Sequence, residues 1–154
     1  MSYYEFLLFG HLVFVATWVG TDVSLQLFAL RARRAGPERM VGLLSDVEWI
    51  GLRLLTPASL LVAIFGVLLV IEDPNFEFSQ AWITLGLIAF LASALTGSLF
   101  LGPETGRIAK LAEGRGPGDP EVKSRIARVF LISRIELLIL ILIILDMVIK
   151  PGFP

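Results

Sequence analysis

Two groups of polar residues stand out in a 154-residue chain that is otherwise strongly apolar. His11, Trp18, Asp22 and Gln26 follow one another at i, i+7, i+11 and i+15, which at about 100° per residue places them on one narrow stripe of a helix. A histidine on such a stripe can ligate haem iron or a metal, relay a proton, or hydrogen-bond a neighbouring carbonyl. His11 is the one histidine and there is no cysteine. Bis-histidine haem, disulfides, thiolate metal sites and covalent haem attachment are therefore excluded within one subunit. Met1 and Met40 are poorly placed as a second ligand, and Met147 falls near the end of the last apolar segment. The second group is Asp22, Arg53, Arg134 and Glu136, which counting along the chain puts at one depth. Two acids against two arginines predicts a neutral intramembrane ion-pair network, which serves as a structural clamp or as a path for ions or protons. Arg134 and Glu136 are two residues apart and must look to different partners.

The elements that carry these residues must be membrane helices. Hydrophobic residues make up 56% of the chain, charged residues only 18%, and the mean hydropathy is +0.81. A soluble domain carries roughly 25% charged residues, so a soluble shell is excluded. Thirteen basic residues nearly balance fourteen acids, which gives no sign of a nucleic-acid partner. A spanning helix needs about 20 mostly apolar residues, and four segments qualify. They are residues 4–30, 49–71, 79–101 and 129–149, the last carrying LLILILIIL between Glu136 and Asp146. The first lacks the basic start and small-residue cleavage site of a signal peptide, and is read as a retained helix. The expected fold class is all-α: a single integral membrane domain over residues 1–154, a four-transmembrane-helix bundle. Its helices cover about 4–30, 37–71, 79–113 with a break near 103, and 120–149.

Ten of the thirteen basic residues lie between helices one and two or between three and four, while EDPNFEFS after helix two holds three acids and no base. Basic flanks resist translocation, so both termini are expected outside. Pro37 after Gly36 suits a helix start, and Pro120 after Asp119 reads as a first turn with its cap. Pro57 lacks the N–H that the Arg53 carbonyl would accept, which predicts a kink. Asp146 with Lys150 is expected to cap the outer end. Gly86, Ala89, Ser93 and Gly97, beside Thr96, form a small-residue face suited to close helix packing in lipid. No H-E-x-x-H zinc site, phosphate loop or nucleophile elbow occurs, which removes hydrolase and nucleotide-driven readings.

HLVFVATWVG in helix one, RLLTPASLLVAIFGVLLV in helix two, the AW opening of helix three and the closing MVIKPG resemble an uncharacterised bacterial family of predicted integral membrane proteins. The resemblance covers almost the whole chain and implies a multi-pass protein of the bacterial inner membrane. More distantly, the order of motifs is similar to the membrane protoporphyrinogen oxidase that uses haem b and to copper-resistance D-type membrane domains. That similarity implies a haem ligand at the position of His11. After Trp82, however, the chain reads ITLG, so Thr84 and Gly86 stand where the oxidase pattern has polar and basic residues, and its further histidine is absent. Three functions follow. The first is a non-catalytic packing or accessory subunit of a membrane complex or homo-oligomer, in contact with lipid. The second is a haem b or porphyrin-binding protein with His11 as axial ligand and Trp18 lining the pocket. The third is a conductor of ions or protons through Asp22, Arg53, Arg134 and Glu136.

Overall fold

A computed structural model describes residues 1–152, and these form four long helical rods. Helix α1 is Tyr3–Ala35. The second rod, Pro37–Glu72, consists of α2 (Pro37–Ile50) and α3 (Thr56–Glu72) joined by a π turn at Gly51–Leu55. The third, Ala81–Arg115, consists of α4 (Ala81–Leu95) and α5 (Gly102–Arg115) joined by a π turn at Thr96–Leu101. The fourth is α6, Pro120–Ile149. The first three are long and apolar enough to cross a membrane. Helix α6 has the length, with 30 residues, and carries Arg134, Glu136 and Asp146. The protein is an all-helical four-helix bundle.

Local chemistry sets the rod ends. Ser2 and Glu5 form a reciprocal capping box, Ser2 Oγ accepting from the Glu5 N–H at 3.1 Å and Glu5 Oε2 from the Ser2 N–H at 2.7 Å. Gly36, at φ 117°, allows the sharp join between α1 and α2, and Pro37 takes the first helical turn as expected. Asp119 accepts from the Glu121 and Val122 N–H groups at 2.8 and 3.4 Å, capping α6 where the Asp-Pro pair foretold it.

The two internal prolines are accommodated in the same way. Each π turn ends two residues before a proline, Pro57 or Pro103. A proline ring clashes with the carbonyl four residues back, and widening the preceding turn moves that carbonyl aside. At the first turn the Gly51 carbonyl accepts from both the Thr56 N–H and, at 2.9 Å, the Thr56 hydroxyl. The kink expected at Pro57 is thus realised as one wide turn within a continuous rod.

At 1.5 Å per residue, rods of 30 to 36 residues are about 45–54 Å long, against a hydrocarbon core of about 30 Å. The bundle therefore extends beyond the bilayer, and it has two cores. One lies at the arginine-bearing end, where Ala29 and Ala32 of α1 meet Leu43 and Leu44 of α2, Ile108 of α5, and Val122 and Ile126 of α6. Around it Glu104 pairs with Arg107 and Arg125, and Glu121 with Arg115 and Arg125. The other core lies within the spans, where Trp18, Ala58, Val62 and Leu140 bury together against Phe90 and Ile143. Outward from it, Leu12, Leu60, Ile88, Leu138 and many other large apolar side chains are exposed, which is the surface lipid requires.

Candidate functional site

The polar stripe of α1 divides between two environments. His11 packs against α3, its Nδ1 3.0 Å from the Val62 carbonyl oxygen. A carbonyl only accepts, so Nδ1 carries the proton in this pairing and Nε2 keeps its lone pair. The ring fits because position 66 is glycine: a Cβ there would lie 3.1 Å from His11 Cε1. Two helical turns along α1, Trp18 is buried in the membrane core with its ring edge-on to Phe90, centroids 5.5 Å apart. Asp22 and Gln26 lie beyond that plug, where Gln26 Nε2 donates to Ser133 Oγ at 2.7 Å.

The four charges expected to pair do not. Asp22 and Glu136 are buried, each 8% exposed, while Arg53 and Arg134 are exposed. Glu136 Oε1 accepts from the Ser93 hydroxyl at 2.8 Å. The Arg53 guanidinium sits 5.0 Å from the centre of the Trp49 ring. No ion pair joins any of the four among the described residues. The physical reason is the reach of the arginine side chain. From an outward-facing position it can lay its stem along apolar surface and carry its charge toward the interface, whereas a short carboxylate has no such option and needs a donor inside the bundle.

The small-residue face of α4 meets α6. Gly86 receives the methyl of Met147, Ser93 bonds Glu136, and a Cβ at Gly97 would lie 3.5 Å from Glu136 Oε1. At the far end Asp146 and Lys150 make a backbone helix bond of 2.8 Å. Their side chains diverge: the Lys150 ammonium lies over Phe76 and Trp82, 4.7 and 5.4 Å from the ring centres, while Asp146 Oδ2 is buried without a hydrogen-bond partner.

Between these helices lies a cavity of about 270 Å³, bordered by His11, Val62, Gly66, Trp82, Gly86 and Phe90 among others. Its wall is overwhelmingly apolar. Its floor is the Trp18–Val62–Leu140 cluster, and it runs along α1 as far as Tyr4. The fourteen helical steps from Tyr4 to Trp18 rise about 21 Å. The cavity is a slot elongated along α1. A larger hollow, about 590 Å³, is an open groove among the ion-paired side chains of α5 and α6; it lies at the opposite end of the bundle and shares no residue with the slot.

His11 and Trp18, singled out from the sequence, both border the slot. Gly66, Trp82, Gly86 and Lys150 border it too but were not read as part of a site with His11. The available signal was the isolated Gly66 within LLVAIFGVLLV, since a lone glycine in an apolar run marks a close approach. Among the described residues, no group of three or more His, Cys, Asp or Glu side chains could hold a metal ion.

No curated protein and no solved structure matches the chain. A family model does match, over residues 5–151, nearly the whole bundle from the capping box to the turn after α6. The chain belongs to the family described as predicted integral membrane protein (DUF2269).

Proposed function

We propose that this integral membrane protein binds a chain-like apolar molecule, such as a lipid tail or isoprenoid chain, in the slot between α1, α3, α4 and α6. The observation that carries this reading is the slot itself: about 270 Å³ of space, nearly all of it lined by apolar side chains, lying inside the spans. Apolar cavities of this kind stay dry and take up apolar guests. In this reading α6 is a fourth span. The arginine-bearing end faces the cytoplasm and both termini lie outside, in a bacterial inner membrane. The exposed apolar flanks contact lipid, further copies of the chain or other subunits, so a binding role is compatible with membership of a larger complex.

A second reading, a haem b or porphyrin protein with His11 as axial ligand and Trp18 in the pocket, has one observation in its favour. A ligating histidine characteristically gives its other N–H to a carbonyl, and His11 is held in that way by Val62. The donor fits iron, while a macrocycle would need more room than the cavity gives with the helices as they stand. Even drug-sized ligands take pockets of about 300–1,000 Å³, above the 270 Å³ present. Conduction through Asp22, Arg53, Arg134 and Glu136 has less support, because Trp18, Ala58, Val62 and Leu140 close the path between the acids and His11.

The test is solvent extraction and mass spectrometry of protein purified in mild detergent, with an absorption spectrum of the same sample. About one chain molecule per protein is expected. Ala63→Phe or Leu87→Phe, each adding bulk to a slot-lining position, should lower it several-fold. Undiminished recovery in both folded variants would refute the slot as the binding site. A stoichiometric b-type spectrum lost in His11→Ala would establish the second reading instead.

A further inference from the structure

Three buried polar atoms have no hydrogen-bond partner among the described residues: Gln80 Oε1, Trp82 Nε1 and Asp146 Oδ2. All lie at one end of the bundle, at the start of α4 and the end of α6. Buried donors and acceptors are almost always satisfied, and an unsatisfied one is costly. Clustering at one end of a cavity calls for a common cause. Gln80 spends its amide on the Asn75 carbonyl at 2.8 Å, whereas Trp82 lines the slot and Asp146 Oδ2 lies behind Gly86 and Met147, which line it too.

Trp82 is 5% exposed and lines the slot. Gly86, one helical turn along the same face, lines it as well, and a Cβ at Gly86 would lie 3.7 Å from Asp146 Oδ2. The orphan donor thus belongs to a residue one helical turn from the glycine that fronts the orphan acceptor. The notch at Gly86 is filled by the methyl of Met147, whose unbranched side chain can turn aside without disturbing the helix.

We propose that the chain bound in the slot carries a hydroxyl head, which accepts a hydrogen bond from Trp82 Nε1–H and donates one to Asp146 Oδ2 as it displaces the Met147 methyl from the Gly86 notch. A hydroxyl is the smallest group that answers both atoms at once. An ether can only accept and an anionic head would be repelled by Asp146. This inference rests on the slot being a chain-binding site, and the experiment separates the two.

Delipidated protein in detergent is offered equal amounts of 1-hexadecanol and hexadecyl methyl ether, and the bound chains are counted by mass spectrometry. The expected result is about tenfold enrichment of the alcohol, the effect of one good hydrogen bond in a dry site. Asp146→Leu, which removes the acceptor that only the alcohol can satisfy, should bring the ratio close to one while the total chain bound is retained; Trp82→Phe removes a donor that either oxygen can use, and should lower the binding of both chains while leaving the ratio in place. Equal binding of alcohol and ether by the natural protein would overturn the hydroxyl assignment and leave the chain site standing. Failure to retain either chain would overturn both.

Discussion

Replacing Ser93 by alanine is the sharpest probe of how the buried acids are held. Ser93 is 2% exposed and Glu136 8%, and their 2.8 Å hydrogen bond ties α4 to α6. In a water-soluble core, leaving such an acceptor unpartnered costs about 1–3 kcal/mol. Interhelical hydrogen bonds in membranes measure lower, about 0.6 kcal/mol on average and up to about 1.7, because the separated helices find other partners. The burial of both residues points to the upper part of that range, about 1.5 kcal/mol for Ser93→Ala. Using about 2–4 °C per kcal/mol for a chain of this size, the midpoint in detergent should fall by about 3–6 °C. Glu136→Gln keeps an acceptor oxygen and should cost less. Glu136→Leu leaves a serine hydroxyl that can turn back to the Ala89 carbonyl in its own helix, so most of the loss in Ser93→Ala should vanish in that background. The coupling in the double-mutant cycle should therefore be about 1 kcal/mol or more. A silent Ser93→Ala, together with a loss above about 1.5 kcal/mol in Arg134→Gln, would refute the reasoning and restore a carboxylate–arginine pair.

Two further substitutions test the packing and the caps. Gly10→Val would put a Cβ 2.6 Å from a carbon of the Phe65 ring, a ring already in contact with Phe6 and Phe14; overpacking of this kind costs about 1–3 kcal/mol. Gly20→Val, where a Cβ meets nothing within 4 Å, should by the same thermal assay change stability by less than about 0.5 kcal/mol. Asp119→Ala removes the acceptor for two N–H groups at the start of α6 and should cost about 1 kcal/mol, read as a lower midpoint and faster proteolysis of the turn at residues 116–119.

The rods were legible because the bilayer imposes a length and a polarity that composition must meet, and because Gly36-Pro37 and Asp119-Pro120 punctuate the chain in the chemistry that helix ends require. Position along a rod needs only a residue count. What a count does not supply is azimuth, which depends on tilt and packing. The four charges show the difference. Counting puts them at one level, yet the bundle turns Asp22 and Glu136 inward and Arg53 and Arg134 outward. Half of this was within reach, because residues two apart on a helix point about 200° apart; once Glu136 faces in, Arg134 must face out.

The slot was hidden for a related reason: it is made by residues that are absent or small. His11 occupies the space over Gly66, and Met147 the space over Gly86. In a sequence each glycine is a break in an apolar run, with no sign of which side chain comes to fill it. The choice of filler separates their roles. The histidine is fixed by its bond to the Val62 carbonyl, so Gly66→Ala should force apart a rigid pair and disturb the α1–α3 contact. The methionine has free torsions and no polar tie, so Gly86→Ala should cost little stability, while filling the notch that fronts Asp146 Oδ2. A variant that keeps its melting temperature yet loses preference for the alcohol would locate the head-group contact at Gly86. Loss of stability with that preference intact would make the notch a packing device.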